Sequence, residues 1–261
     1  MRLALSSDSP DSASVPSRLK VGGHKHRHAA QFYDSDAFLI RAVSDYVIAG
    51  LQADETAITV LTREHQAACA RELAARGVDL GALRQSGALI EIDADQALAA
   101  FMENGMPNEE RMFRVVLPVL EQAEARSTRV RACGEAISIL WSQGLGPAAL
   151  ALEALWSKLL ATHPLSLMCF YAMRGFSETG DRSFVSSACA MHDIVGPTEH
   201  YTEADEATRL VEIVLLQQQS QAMQSEIRRR EELEAIVRDL AGTTAADSPS
   251  QLALPFVSEG R

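Results

Sequence analysis

The sequence predicts an α/β three-layer sandwich, a mainly parallel sheet with helices on both faces, followed by one long C-terminal helix. Three observations carry this expectation. Five short runs of β-branched and apolar residues alternate with segments of helical length, as βαβ crossovers require. Glycines fall at the joints between them. The 261 residues are 47% hydrophobic and 23% charged, the balance of a globular chain with a sizeable core.

Residues 1–27, rich in Ser, Pro, Asp and Gly, read as a disordered leader. Strands are expected at 29–33, 57–61, 88–92, 128–133 and 165–172. A helical pattern precedes each of the last four: Phe38, Val43, Val47 and Leu51; Cys69, Leu73 and Val78; Phe113, Val116, Leu117 and Leu120; Leu150, Leu155 and Leu159. Gly77 can end a helix, Gly87 precedes the third strand, Gly144 to Pro147 separate two helices, and Gly175 follows the fifth strand.

Residues 28–200 therefore form one domain, and 201–240 turn to Glu, Arg and Gln. There Ile213, Leu216, Ser220, Met223 and Ile227 keep three-four spacing, and Leu233, Val237 and Leu240 resume it out of phase, a stutter. An amphipathic helix that pairs two copies as a coiled coil over 202–240 is expected, the alternative being a helix folded back on its own domain. Residues 241–261 read as a disordered tail carrying a short apolar motif, Leu254 to Val257.

Charge narrows the function. The net charge is −11, so the surface repels phosphate backbones and anionic lipid, and neither direct nucleic-acid binding nor a membrane is expected. The four cysteines, widely spaced and without a CxxC, fit reduced thiols in the cytoplasm. The apolar run Leu3-Ala4-Leu5 is far short of an export signal.

The motif search returns few signs of catalysis. No GxxxxGK[ST] or GxGxxG follows a strand, and the second strand runs through Leu61-Thr62-Arg63-Glu64-His65 without glycine, so ATP or GTP hydrolysis is not expected. No GxSxG occurs, and His65, His163, His192 and His200 lack a nucleophile in sequence. A fold could unite Cys133 or Cys169 with His163, although buried free thiols are the commoner state. The tract His24-Lys25-His26-Arg27-His28 interleaves cations with imidazoles, which disfavours a dication. No enzyme activity, metal or cofactor is expected.

In open parallel sheets ligands bind beyond the carboxyl ends of strands. Those positions are Tyr33 and Asp34, Arg63 and Glu64, Asp93, Cys133 to Glu135, and Tyr171, Met173 and Arg174. Aromatic, soft and acidic groups together suit a small organic molecule better than phosphate. Each has a plainer reading: Phe32, Tyr33, Phe170 and Tyr171 as core, and Glu135 as a helix start favoured by the dipole.

Four motifs then appear in order: His28-Ala-Ala-Gln-Phe32-Tyr33; Gly50-Leu51-Gln-Ala-Asp54-Glu55; Arg131-Ala-Cys-Gly134-Glu135; and Cys169-Phe170-Tyr171. Their order and spacing resemble the MEDS domain, the methanogen/methylotroph DcmR-type sensory domain, with its H-x-x-x-F-Y, GL-x-x-GE, R-x-x-GE and C-x-Y steps. The likeness covers about residues 28–200. It implies a divergent RecA/KaiC-like sheet without the phosphate loop, and a module sensing small molecules such as hydrocarbon derivatives. Asp54 departs from the glycine usual at that step. No kinase or DNA-binding unit follows the helix, so the output is expected from a partner, a kinase or transcription regulator, or from dimerisation. The expected ligand-binding set is His28, Phe32, Tyr33, Glu55, Arg63, Glu64, Arg131, Glu135, Cys169 and Tyr171. A degenerate RecA-like nucleotide-binding ATPase and a ligand-free interaction regulator are the alternatives.

Overall fold

The computed structural model describes residues 28–176 and 182–246. In chain order the strands are β1 (His28–Tyr33), β2 (Thr56–Leu61), β3 (Leu89–Asp93), β4 (Met102–Glu103), β5 (Met106–Pro107), β6 (Val130–Gly134), β7 (Leu165–Ala172) and β8 (Ile194–Gly196). The helices are α1 (Asp36–Gln52), α2 (Arg63–Ala75), α3 (Leu80–Gln85), α4 (Ala94–Phe101), α5 (Glu109–Arg126), α6 (Ala136–Ser142), α7 (Gly146–Leu160), α8 (Arg182–Ala190), α9 (Glu199–Thr202) and α10 (Glu206–Ala246). All five expected strands are present. Two features went unseen: the short edge strand β8, and the β4–β5 hairpin, whose Asn104-Gly105 turn takes positive φ at both residues.

The main sheet has the order β3-β2-β6-β7-β1-β8, with every neighbouring pair parallel. Alternate residues build two cores. On one face, Ala29, Tyr33, Leu61, Met168 and Phe170 pack with α1 and α2 through Leu39, Val43, Val47 and Leu73. On the other, Ala30, Phe32, Leu167, Cys169 and Tyr171 pack with α4 to α8 through Leu98, Leu120, Ile137, Leu152 and Phe184. The helices leaving β2 and β6 thus cover opposite faces. Their carboxyl ends flank a crevice, the switch point at which such sheets usually bind ligands.

Three helices that begin at the carboxyl edge of the sheet, α1, α2 and α4, start on a side-chain cap. Ser35, Thr62 and Asp93 accept hydrogen bonds from Phe38, His65 and Gln96 backbone N–H groups. Caps at these positions fix where each strand ends, and hence which residues reach the sheet edge.

Two of the sequence motifs prove to be one structural device. Arg131 on β6 donates to Glu55, at 2.7 Å, with both side chains buried. Its guanidinium also lies over the Tyr46 ring, 4.5 Å from the centroid. A Cβ at Gly50 would come within 3.0 Å of Arg131 Cδ, so the glycine makes room for this arginine. Asp54 takes the left-handed conformation, φ 57°, which explains the usual glycine and why Asp, tolerant of that region, can replace it.

The chain divides at Ala204 into two units. The second contains α10, a helix of 41 residues. It begins at Glu206, later than the expected 201–202, because Asp205 caps it through Thr208 N–H and Oγ1. It also runs to Ala246, past the expected end at Leu240. Leu216, Met223, Ile227, Leu233 and Val237 are exposed along it. The expected disordered leader, 1–27, and the tail beyond Ala246 lie outside the described residues. Among the described residues, no helix is long and apolar enough to cross a membrane.

Removing one member of the Arg131–Glu55 pair strands a buried charge. Glu55→Ala is expected to lower stability by about 3–5 kcal/mol, against a much smaller loss for the double variant Glu55→Ala with Arg131→Met. Urea denaturation of both checks this, and equal losses would contradict it.

Candidate functional site

The apolar stripe of α7 carries one charged residue. Ala149, Leu152, Glu153 and Trp156 share a helix face by their spacing, and Glu153 is fully buried against the sheet. A carboxylate there requires partners. Four surround it: Tyr171 Oη donates to Glu153 Oε1; His28 Nε2 lies 3.1 Å from Oε2; Cys169 Sγ donates to Oε2 over 3.7 Å; and His192 Nε2 stands 3.5 Å from Oε1. Cys169 Sγ and His28 Nε2 are 3.5 Å apart, and the two imidazoles lie 4.0 Å apart, centroid to centroid. Parallel pairing of β1 with β7 creates this arrangement, because His28, Cys169 and Tyr171 then point to one face.

Burial raises the Glu153 carboxyl, but the His28 hydrogen bond, the charges of His192 and His28, and the Tyr171 hydroxyl overcome it and hold the pKa below the usual carboxylate range. Burial and the same carboxylate push the Cys169 thiol and the Tyr171 phenol well up. Burial lowers His192, which favours its neutral form. His28 Nδ1–H donates to Met191 O at 3.1 Å, and His192 Nδ1–H to Ala188 O at 2.6 Å. Each imidazole therefore turns Nε2 toward Glu153. The Nε2, Oε, Sγ and Nε2 atoms of His28, Glu153, Cys169 and His192 all lie within 4.8 Å of one another, a set of donors able to hold a metal ion.

Beside this cluster is an apolar cavity of about 50 Å³. Val60, Ile92, Phe101, Val116, Leu152 and Trp156 are among the residues lining it, and Cys169 belongs to both its wall and the polar cluster. The space exceeds that of one water, and its walls offer water almost nothing to bond.

A second cluster closes the β2–β6 crevice. Glu135 Oε1 accepts from Thr62 N–H at 2.8 Å, and His65 Nδ1–H donates to both carboxylate oxygens at 2.8 and 2.9 Å. The Glu135 hydrogen bond raises the His65 pKa; burial opposes this, and the charges of Glu135, Asp36 and Glu64 add to it. Glu135 thus sits at the N-cap of α6 yet makes no side-chain cap there, and serves α2 instead. Glu199 does the same for α1, accepting from Asp34 N–H (2.9 Å), Ser35 N–H (2.8 Å) and Ser35 Oγ (2.6 Å).

The expected site residues therefore separate into four places. His28, Phe32, Cys169 and Tyr171 come together around Glu153, where Phe32 stacks on Tyr171 with centroids 5.1 Å apart. Tyr33 and Glu135 reach the carboxyl edge of the sheet, where Glu135 adds to burial in raising the Tyr33 phenol. Arg63 and Glu64 open α2 beyond that edge; Arg63 is exposed and bonded to Asp93 at 2.6 Å. Glu55 and Arg131 lie at the opposite end of the strands, neutralised by each other. The suggested union of His163 with Cys133 or Cys169 does not form: His163 bonds Glu124 at 2.8 Å, and His28 meets Cys169 instead. Glu153, His192 and His65 lie outside the expected set. For Glu153 a signal existed, one carboxylate within an apolar helical stripe.

The His65–Glu135 bond has a pH signature. A folded-state pKa above the ordinary 6.5 means that His65 contributes stability fully below about pH 6.5, lost as pH rises through the folded value. His65→Gln should therefore destabilise the protein more near pH 5.5 than near pH 9. Denaturant midpoints at both pH values test this, and a pH-independent difference would refute it.

No curated protein matches this sequence. The model of the MEDS family, the methanogen/methylotroph, DcmR sensory domain, matches residues 27–192, more than half of the chain and the whole stretch from His28 to His192 that builds the Glu153 cluster. The chain belongs to the MEDS family of sensory domains.

Proposed function

We propose that residues 28–200 form a cytoplasmic, non-catalytic receptor for a small, largely apolar organic molecule, and that the helix over 202–240 relays occupancy within a homodimer to a kinase or transcription regulator. The cavity against β2, β3 and β6 carries this reading. Its walls are almost wholly apolar, and its size suits a molecule of a few heavy atoms. Cys169 and the nearby Glu153 cluster supply a polar end at which such a ligand could be distinguished from a plain hydrocarbon. The family's sensory role agrees with that chemistry. Four free cysteines, three of them buried, suit a reducing compartment.

Nucleotide binding is the weaker reading. A phosphate chain would be drawn to helix N-termini at the carboxyl edge of the sheet. There the N-termini of α1, α2 and α4 already carry Glu199, Glu135 and Asp93, three of the protein's own carboxylates. Each would repel an incoming anion.

For signalling, the ligand must favour one arrangement of the chain over another. The exposed apolar row on α10, with three-four spacing from Leu216 to Ile227, supports pairing with a second copy. A chain ending at Ala204 should then be monomeric where the full chain is dimeric by light scattering; a dimer from the shortened chain would refute the helical interface.

Filling the cavity tests the receptor reading. Xenon and short-chain alcohols should perturb NMR signals of Val60, Ile92 and Val116 methyl groups in the parent protein. Ala97→Leu, which adds carbon to the wall, should abolish the response while holding or raising stability by about 0.5–2 kcal/mol. Absence of any response in the parent would overturn the proposal.

A further inference from the structure

We infer that His28, Glu153, Cys169 and His192 form a tetrahedral site for a divalent transition ion of the zinc class. The distances carry the argument first. A tetrahedron with metal–nitrogen and metal–oxygen bonds of about 2.0–2.1 Å and a metal–sulfur bond of about 2.3 Å has ligand-to-ligand edges of roughly 3.3–3.6 Å. Three of the six edges, those among His28, Glu153 and Cys169, are 3.1 Å (His28 Nε2 to Glu153 Oε2), 3.5 Å (His28 Nε2 to Cys169 Sγ) and 3.7 Å (Cys169 Sγ to Glu153 Oε2). All four donors, His192 included, fall within 4.8 Å.

A second, independent observation comes from His192. Its side chain has 0% exposure, and its Nε2 has no hydrogen-bond partner, although it is aimed at the cluster. With Nδ1–H committed to Ala188 O, a neutral ring leaves a lone pair facing a carboxylate oxygen. Both are acceptors and neither satisfies the other. A cation bound by Nε2 and by the Glu153 carboxylate removes that conflict, at a position where a buried nitrogen otherwise has no partner.

The surroundings complete the pattern. Each ligating imidazole gives its other N–H to a backbone carbonyl, Met191 O for His28 and Ala188 O for His192. Tyr171 donates to the second oxygen of Glu153. Such outer hydrogen bonds fix the tautomer and aim of the ligands in metal centres. A dication with one carboxylate, one thiolate and two neutral imidazoles is also electrically neutral, which suits a site buried from solvent. Two imidazoles, one thiolate and one carboxylate in tetrahedral array favour zinc over calcium or magnesium, which prefer all-oxygen shells. Of the tract His24 to His28, the described residues include His28, which belongs to this site.

The test uses the full chain, made without a histidine tag and dialysed against metal-free buffer. Mass spectrometric metal analysis should find about one zinc per chain. Cys169→Ser and His192→Gln should each lower that content at least about tenfold, whereas His24→Ala with His26→Ala should leave it unchanged. Should the first two variants fail to fold, the parent decides alone: with cobalt(II) in place of zinc it should show the strong visible bands of a tetrahedral ion and a near-ultraviolet thiolate charge-transfer band. Metal below about one-tenth equivalent with no cobalt bands would leave a proton-sharing His–Glu–Tyr network and overturn the site. Loss of the ion with His24 and His26 rather than with Cys169 would overturn it equally.

Discussion

Glu153 is the constraint around which the domain is arranged. A carboxylate with no solvent exposure has lost its hydration, a cost of several kcal/mol that only close partners offset. Those partners come from separate parts of the chain: His28 from the first residue of β1, Cys169 and Tyr171 from β7, and His192 from the turn after α8. Satisfying one side chain therefore fixes the packing of α7 on the sheet and the position of the segment leading into β8. His28 adds a backbone tie, since its N–H donates to Asp193 Oδ2 at 3.0 Å and its carbonyl accepts from Asp193 N–H at 2.7 Å.

The carboxyl edge of the sheet follows a related principle with opposite effect. There the protein's own carboxylates occupy the helix N-termini that other α/β proteins leave open to phosphate. Glu199 and Glu135 reach across from other elements, and Asp93 caps locally. Glu199 and Glu135 satisfy the backbone N–H groups of Asp34, Ser35 and Thr62, where α1 and α2 begin, and Asp93 satisfies that of Gln96 in the first turn of α4.

Several motifs acquire physical meanings that differ from one another. Gly50, Glu55 and Arg131 form a buried ion pair with the room it needs, a structural device at the end of the sheet remote from the crevice. The His28 and Cys169–Tyr171 motifs build a chemical centre. Gly134 lies between these roles: a Cβ there would meet Val60 O at 2.6 Å, so glycine allows β6 to lie close to β2 just before Glu135 turns into the crevice. The sequence places His28, Glu55, Arg131, Glu135, Cys169 and Tyr171 in one expected ligand-binding set, because it records which residues are unusual and not what each of them touches.

Local physics made the strands, the helix caps, the helical C-terminal segment and the family legible from the sequence, since period, cap and turn chemistry act over a few residues. The three-residue β8 escaped because its pattern is too short to distinguish from a loop, and its place beside β1 depends on the register of a distant strand. The cluster escaped for the same reason on a larger scale. Glu153, Cys169, His192 and His28 are spread from the first strand to the turn after α8, and the parallel pairing of β1 with β7, with α7 and α8 packed on one face, brings their donor atoms together. The sequence by itself determined which elements form and the family to which they belong; tertiary structure decided which charges neutralise each other, which residues enclose the cavity and which four side chains converge, because those contacts are long-range and set by sheet order and not by neighbours in the chain.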